Sequence, residues 1–498
     1  MSPPPRHADS TIPMLARRQF LTSSANGLGA AALGALLTDE GVLAADSTKA
    51  SSARSSHFVP RAKACIFVFM AGGPSHVDLF DPKPKLNELD GQRLPQELLA
   101  ESRFAFLKPD TATIMGSPRK FYRHGECGME LSELLPRLGS CADDLLLIRS
   151  LHSEQFNHHP AQLLMQCGAS RFGMPTMGAW INYGLGSESK SLPGYVVLTA
   201  GRGTSGGATL YQSGFLPSPY GGVLFRNTGE PVLNLDNPAG VDRQQQLREL
   251  DAVRELNQRR LSQVHDPQIA ARIDNYELAG RMQLSAPELT DLTQESRHTL
   301  DLYGVERPEP DPGNHRGTFA HLQTYQAFAR NCLLARRMVE RGVRFVNIIH
   351  ASWDQHANLD ADIAYNAGIV DQPIAALIQD LKQRGMLDET LVVWGSEFGR
   401  TPMVEQPDAE QRSGTGRDHH PSCYSTLMAG GGLKGGTVYG ASDEFGYHPA
   451  ENPVHANDLH ATLLHQFGLD HLKLTYRFQG RDFRLTDVGG NVIHDWIA

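Results

Sequence analysis

The sequence predicts an α/β fold with a mostly parallel central sheet, helices on both faces and a helical insertion. Three observations predict it. Six short runs are continuously apolar, as in strands buried on both faces, where half-exposed strands would alternate. Two long segments carry apolar residues at helical spacing and end at glycine. Strand and helix patterns then alternate along the chain, the order a parallel sheet needs.

The strands come in turn. "KACIFVFM" at 63–70 is the first and "DLLLIRSL" at 144–151 the second. "GYVVLTA" at 194–200, "VRFVNII" at 343–349 and "ETLVVWG" at 389–395 come next, and "CYSTLMAGG" at 423–431 is the sixth. The segment from Thr318 to Gly342 predicts one helix and that from Ala361 to Gly385 another. Residues 240–300 are charged and Gln-rich with helical periodicity, and predict an inserted helical cap, about 240–315 with its flanks. The Gly/Pro-rich stretches 201–241 and 400–422 read as long surface loops.

Ligands of such sheets bind at the carboxyl ends of the strands, so the residues just beyond each strand matter most. After the first comes a Gly72-Gly73-Pro74 turn with Ser75, His76, Asp78 and Asp81. Its plainer reading is a turn with capping residues. After the second, Asn157, His158 and His159 precede Pro160 at a helix start, where free N–H groups suit an anion. After the fourth come His350, Asp354 and His356 in "HASWDQHANLD". Carboxylate plus imidazole suits Zn²⁺ or Mn²⁺, and oxygen-richer sets suit Ca²⁺ or Mg²⁺. A lone D-x-H pair is weak, because many surface loops contain one. After the fifth come Glu397 and Arg400, whose planar fork matches oxyanions unless the two form an ordinary surface pair. Before the sixth stand Arg417, Asp418, His419 and His420. Several such loops at strand junctions are harder to dismiss than any one.

Composition narrows the classes. The chain has 498 residues, 40% hydrophobic and 20% charged, with net charge −9. That charge and the lack of a basic stripe argue against a nucleic-acid binder. Histidine is plentiful at 21, a hint of metal or proton chemistry. The six cysteines form no CxxC pair; Cys65 and Cys332 read as buried thiols, and one disulfide is compatible with the spacing. Redox chemistry lacks a dinucleotide fingerprint or haem motif.

The N-terminus pairs Arg17-Arg18 with a weakly apolar Gly/Ala/Leu stretch and "VLAAD". It resembles a twin-arginine export signal over 1–45, with a Ser/Ala-rich linker after it at 46–60. The apolar run is too short for a stable membrane span. The expectation is export by the twin-arginine machinery to the periplasm or cell surface.

From about residue 60 onward, the chain resembles a large exported family of unknown function. The motifs are "FVFMAGGPSHVDLFDPKP", "HSEQFNHHPAQ", "WDQHANL", "VVWGSEFGRTP" and "GRDHHPSCYSTLMAGGG". That family is grouped with the alkaline phosphatase and sulfatase superfamily. The resemblance implies an alkaline phosphatase-like fold over 61–498 and one or two divalent metals. It implies a metal-dependent hydrolase of phosphate or sulfate esters, acting on a small or polysaccharide anion. Asp354, His356, Glu397 and His419 or His420 then stand as metal ligands, with Asp78 standing in where Gly72-Gly73 replaces the usual first aspartate. His158 and Arg400 would face the anion. Asp354 and His356 are separated by one residue, where the superfamily has three. The nucleophile helix offers no hydroxyl or thiol. His158, His159, Ser75, Ser153 or metal-activated water remain as the attacking group. The alternative is a non-catalytic binding or scaffold protein that keeps the fold.

Overall fold

The computed structural model describes residues 55–93, 95, 105–108, 112–201, 203–226, 240–264, 267–310, 324–405 and 415–498. The segment expected as an export signal, 1–45, and most of the expected linker lie outside these residues.

Each of the six apolar runs forms a strand. In chain order the strands used below are β1 (Ala64–Ala71), β2 (Leu145–His152), β3 (Tyr195–Ala200), β4 (Val223–Phe225), β5 (Phe345–Ala351), β6 (Thr390–Gly395), β7 (Gly399–Glu405), β8 (Gly416–His420), β9 (Tyr424–Ala429), β10 (Thr437–Tyr439) and β11 (Val454–His455). Nine of them make one sheet in the order β10-β2-β9-β6-β1-β5-β3-β4, with β11 also on β2. β1 lies between β5 and β6, parallel to both. β9 runs antiparallel to β2 and β6, so its start sits at the carboxyl edge of the others.

β1 shows why these strands read as continuous apolar runs. All eight residues are buried, and alternate side chains enter different cores. Ile66, Val68 and Met70 join one core with residues of α5 (Thr324–Glu340) and α6 (Leu359–Gln383). Cys65, Phe67 and Phe69 join the other, with α1 (His158–Cys167), α2 (Met177–Leu185) and α7 (Ala456–Gln466). Each buried Leu, Ile or Phe contributes about 1.5–3 kcal/mol, which makes the sheet the rigid platform for its edge loops.

The cap forms as α3 (Arg243–Val264) and α4 (Pro267–Thr290), linked by an Arg254–Glu277 ion pair of 2.9 Å. Two expectations need correction. The 201–241 stretch contains the edge strand β4, paired with β3. The 400–422 stretch is no surface loop at its ends: β7 and β8 pair antiparallel, and β8 is wholly buried. Glycine and proline there marked a close-packed hairpin. A Cβ on Gly416 would sit 2.2 Å from the His356 carbonyl carbon.

The six cysteines are free thiols, with Cys65 and Cys332 buried as expected. No described helix is long and apolar enough to cross a membrane.

Candidate metal centre

Three segments at the carboxyl edge converge. His158 opens α1, six residues beyond β2. Asp354 and His356 come after β5, and His419 lies at the end of β8, ahead of β9. One ligand atom from each lies within 4.8 Å of all the others.

Asp354 is the hub. Its Oδ1 lies 2.8 Å from His356 Nε2, 3.1 Å from His419 Nε2, 3.2 Å from His158 Nε2 and 2.7 Å from Arg400 Nη2. His356 Nε2 and His419 Nε2 are 2.9 Å apart. Three imidazole Nε2 atoms therefore crowd one carboxylate oxygen. Asp354 is 45% exposed while Arg400 is 0% exposed, so the cluster opens to solvent on its carboxylate side.

The loop that carries Asp354 is held in a demanding shape. Ser352 has φ of 100°, a conformation that costs on the order of 1–3 kcal/mol for a residue with a Cβ. Its carbonyl accepts from Asn366 Nδ2 at 2.6 Å. Gly72 faces it at φ 121°, and a Cβ there would meet Asp354 N at 2.5 Å. Glycine lets the β1 loop press against the backbone of Asp354.

The second nitrogen of two histidines is tied down. His158 Nδ1 lies 3.0 Å from Glu397 Oε1, and His419 Nδ1 lies 2.8 Å from the Phe156 carbonyl. Both arrangements leave Nε2 for the cluster. His158 Nε2 is buried, and despite its approach to Asp354 it makes no aligned hydrogen bond. That orphaned nitrogen, three convergent Nε2 atoms and a carboxylate fit a divalent cation.

Charge follows the geometry. Burial pulls the His158 imidazole down, but the Asp354 and Glu397 carboxylates outweigh it and push it up to about 9. Burial would raise the Asp354 carboxyl, but Arg400 and the three histidines hold it far below the usual carboxylate range. Burial lowers His419 to about 4, against the pull of Asp354.

Several residues expected at the site do something else. Glu397 is fully buried, and its Oε1 accepts from Gly72 N at 2.8 Å and Gln162 Nε2 at 3.0 Å besides facing His158. It orients His158 and is not among the four clustered groups. Arg400 spends its donors within the protein. Its guanidinium donates to Asp354 and to the carbonyls of Gly72, Gly73, Trp353 and Arg417, bracing the loops after β1 and β5 against β8. Asp78 is paired with Arg417 at 2.9 Å and accepts from Ser75 Oγ at 2.5 Å, so both lie apart from the cluster. His420 Nε2 is held 2.5 Å from the Tyr447 carbonyl. His159 turns to Thr209 at 3.3 Å and to the Phe172 ring. His350 accepts from Trp353 Nε1 at 2.9 Å; burial lowers it to about 3, so it is neutral.

Sequence reasoning gave three supports no role. Gln162 stands four residues after His158 on α1, and that spacing could have revealed it. Phe398 stacks on His419 at 4.6 Å. Asp418, named above only as part of the Arg417–His420 group, accepts from His419 N at 2.8 Å through Oδ1.

No curated protein matches this chain. Solved structures with detectable similarity include a sulfatase from Pseudoalteromonas sp., 13% identical over 82% of this chain and 68% of that one, TM-score 0.36. A phosphonate monoester hydrolase from Silicibacter pomeroyi is 14% identical over 67% and 68%, TM-score 0.32. A protein in the alkaline phosphatase superfamily from Vibrio parahaemolyticus is 9% identical over 84% and 70%, TM-score 0.34. Residues 62–497 match the family described as "Protein of unknown function (DUF1501)", and the chain belongs to that family.

Proposed function

We propose that this protein is an exported, metal-dependent hydrolase of phosphate or sulfate esters, with His158, Asp354, His356 and His419 holding one divalent ion. The observation that carries this reading is the convergence of three Nε2 atoms on Asp354, one of them buried and without an aligned partner. Three nitrogens and one carboxylate suit Zn²⁺ or Mn²⁺ better than Ca²⁺, which prefers six to eight oxygens. When bound, such an ion would polarise the ester and neutralise its developing charge.

The chain's own groups set the rest. Asp354 and Glu397 carry two negative charges against one on Arg400, so a divalent ion would leave the fixed groups net positive and suited to an anion. Glu397 holds the proton on His158 Nδ1, and Arg400 fixes the loops so that the cluster is preorganised. The four clustered residues include no hydroxyl or thiol, which favours attack by water. The same feature supports the second reading, a non-catalytic binding or scaffold protein. Aryl phosphate and sulfate esters, assayed with and without Zn²⁺, Mn²⁺ and Ca²⁺, separate the two. Turnover that disappears in His158→Ala and Asp354→Ala sinks the scaffold, and no turnover with any ion sinks the hydrolase.

Metal affinity should depend on pH in a stated direction. His158 sits at about 9, so at neutral pH an ion must displace its proton. His419, at about 4, is already neutral and contributes nothing. Affinity should therefore rise about tenfold per unit from pH 7 and flatten above about 9. Calorimetry across this range, with proton release measured in two buffers, checks it; a flat profile removes His158 from the ligand set.

Export rests on Arg17-Arg18. Replacing both with lysine should leave uncleaved precursor in the cytoplasm, read by fractionation. Normal export of that variant would refute the twin-arginine route.

A further inference from the structure

Phe106 stands beside two of the clustered histidines, His356 and His419. It is 64% exposed, and its ring lies perpendicular to His356 at 5.2 Å and steeply inclined to His419 at 6.2 Å. A single exposed apolar residue needs no explanation by itself. This one is different because its backbone is clamped. The N–H groups of Ala105, Phe106 and Leu107 all donate to Asp418 Oδ2, at 3.0, 2.9 and 2.9 Å. Asp418 is wholly buried, and such hydrogen bonds to a charged group are among the strong ones. Its other oxygen holds the N–H of His419. Leu107 anchors the same segment in a small core with Val77, Ile114 and Met403. One buried carboxylate thus fixes both a clustered histidine and an aromatic ring beside it, yet leaves most of that ring in water.

We propose that Phe106 is the specificity-determining platform of this site, receiving the ring of the organic group of an anionic ester bound at the cluster. The inference rests on the hydrolase reading above. The shared chemistry is a ring one or two bonds from the anion, whether aryl or the saturated ring of a sugar. Such rings stack on an exposed phenyl face, and the contact favours ring-bearing over bare anions by roughly 3- to 10-fold.

The test measures binding to the full zinc-loaded chain by calorimetry, with inorganic phosphate, phenylphosphonate and cyclohexylphosphonate as probes. The ratio of affinities is the readout. Wild type should prefer a ring-bearing probe to phosphate by that factor. Phe106→Ala should bring the ratio to about one, and Phe106→Trp should keep it. Preference for phenylphosphonate alone assigns an aryl group; preference for both assigns a ring of either kind. A preference that survives Phe106→Ala overturns the platform and leaves the hydrolase reading standing. Failure of all three anions to bind wild type overturns both.

Discussion

Asp354→Ala is expected to abolish ester turnover, to cut metal affinity by at least about a hundredfold and to lower stability. The first two effects follow from its place at the hub, where three imidazole Nε2 atoms lie within 3.2 Å of one oxygen. The third comes from Arg400, which is 0% exposed and lies 2.7 Å from that oxygen. Removing one partner of a buried pair costs about 3–5 kcal/mol. Asp354 is half-exposed, so water can reach the vacated position, and a loss of about 2 kcal/mol is the better expectation. Asp354→Asn separates the parts: it keeps an oxygen for Arg400 while losing the charge that an ion needs. Chemical denaturation with metal titration on both variants checks these effects. A variant that keeps metal affinity and turnover would contradict the hub role.

The second large effect is at Glu397. This carboxylate is fully buried and accepts from Gly72, Gln162 and Ser396 while facing His158. Burial pushes its carboxyl up, but His158 and Gln162 more than compensate and hold it below the usual range. Glu397→Ala leaves several buried donors unmet, each worth about 1–3 kcal/mol, so a loss of about 3–5 kcal/mol is expected. Glu397→Gln keeps the volume and an acceptor. It should fold, and lose about 10- to 100-fold in metal affinity because His158 is no longer oriented by a charge. If Glu397→Gln binds metal as wild type does, Glu397 is a packing residue only. The acid side follows from the lowered carboxyl: the stability it contributes is present above the unfolded value and is lost as pH falls through the folded one.

Much of this architecture is legible in the sequence because the strongest signal there is hydrophobic continuity. Short runs such as "KACIFVFM", rich in aromatic and β-branched residues, favour strands covered on both sides, and all six strands lie where that pattern put them. The three further sheet strands are three residues or fewer, too short for any period to show. The antiparallel course of β9 is likewise invisible, since direction depends on connection geometry and not on composition.

At the site, position was readable and occupation was not. His158, Asp354, His356 and His419 stand out as polar residues at strand junctions, and the fold brings them together. Glu397 and Arg400 look the same from the sequence. What separates them is how their hydrogen bonds are spent, and that depends on partners far away in the chain. Arg400 donates to carbonyls of Gly72 and Gly73, more than three hundred residues away. Asp78 meets Arg417 across a similar distance. The neighbours His419 and His420 differ because successive side chains of a strand point to opposite faces: one ring turns to the cluster and the other to Tyr447.

The measurement that bears most directly on the cluster is the metal content of the purified full chain, with its thermal unfolding before and after chelation. The expected content is one divalent ion per chain, held by His158, Asp354, His356 and His419. The melting temperature should fall by several degrees on chelation and recover when Zn²⁺ or Mn²⁺ is restored at about a hundredfold excess over its Kd. A chain that carries no divalent ion and melts at the same temperature with or without added metal would contradict the metal centre.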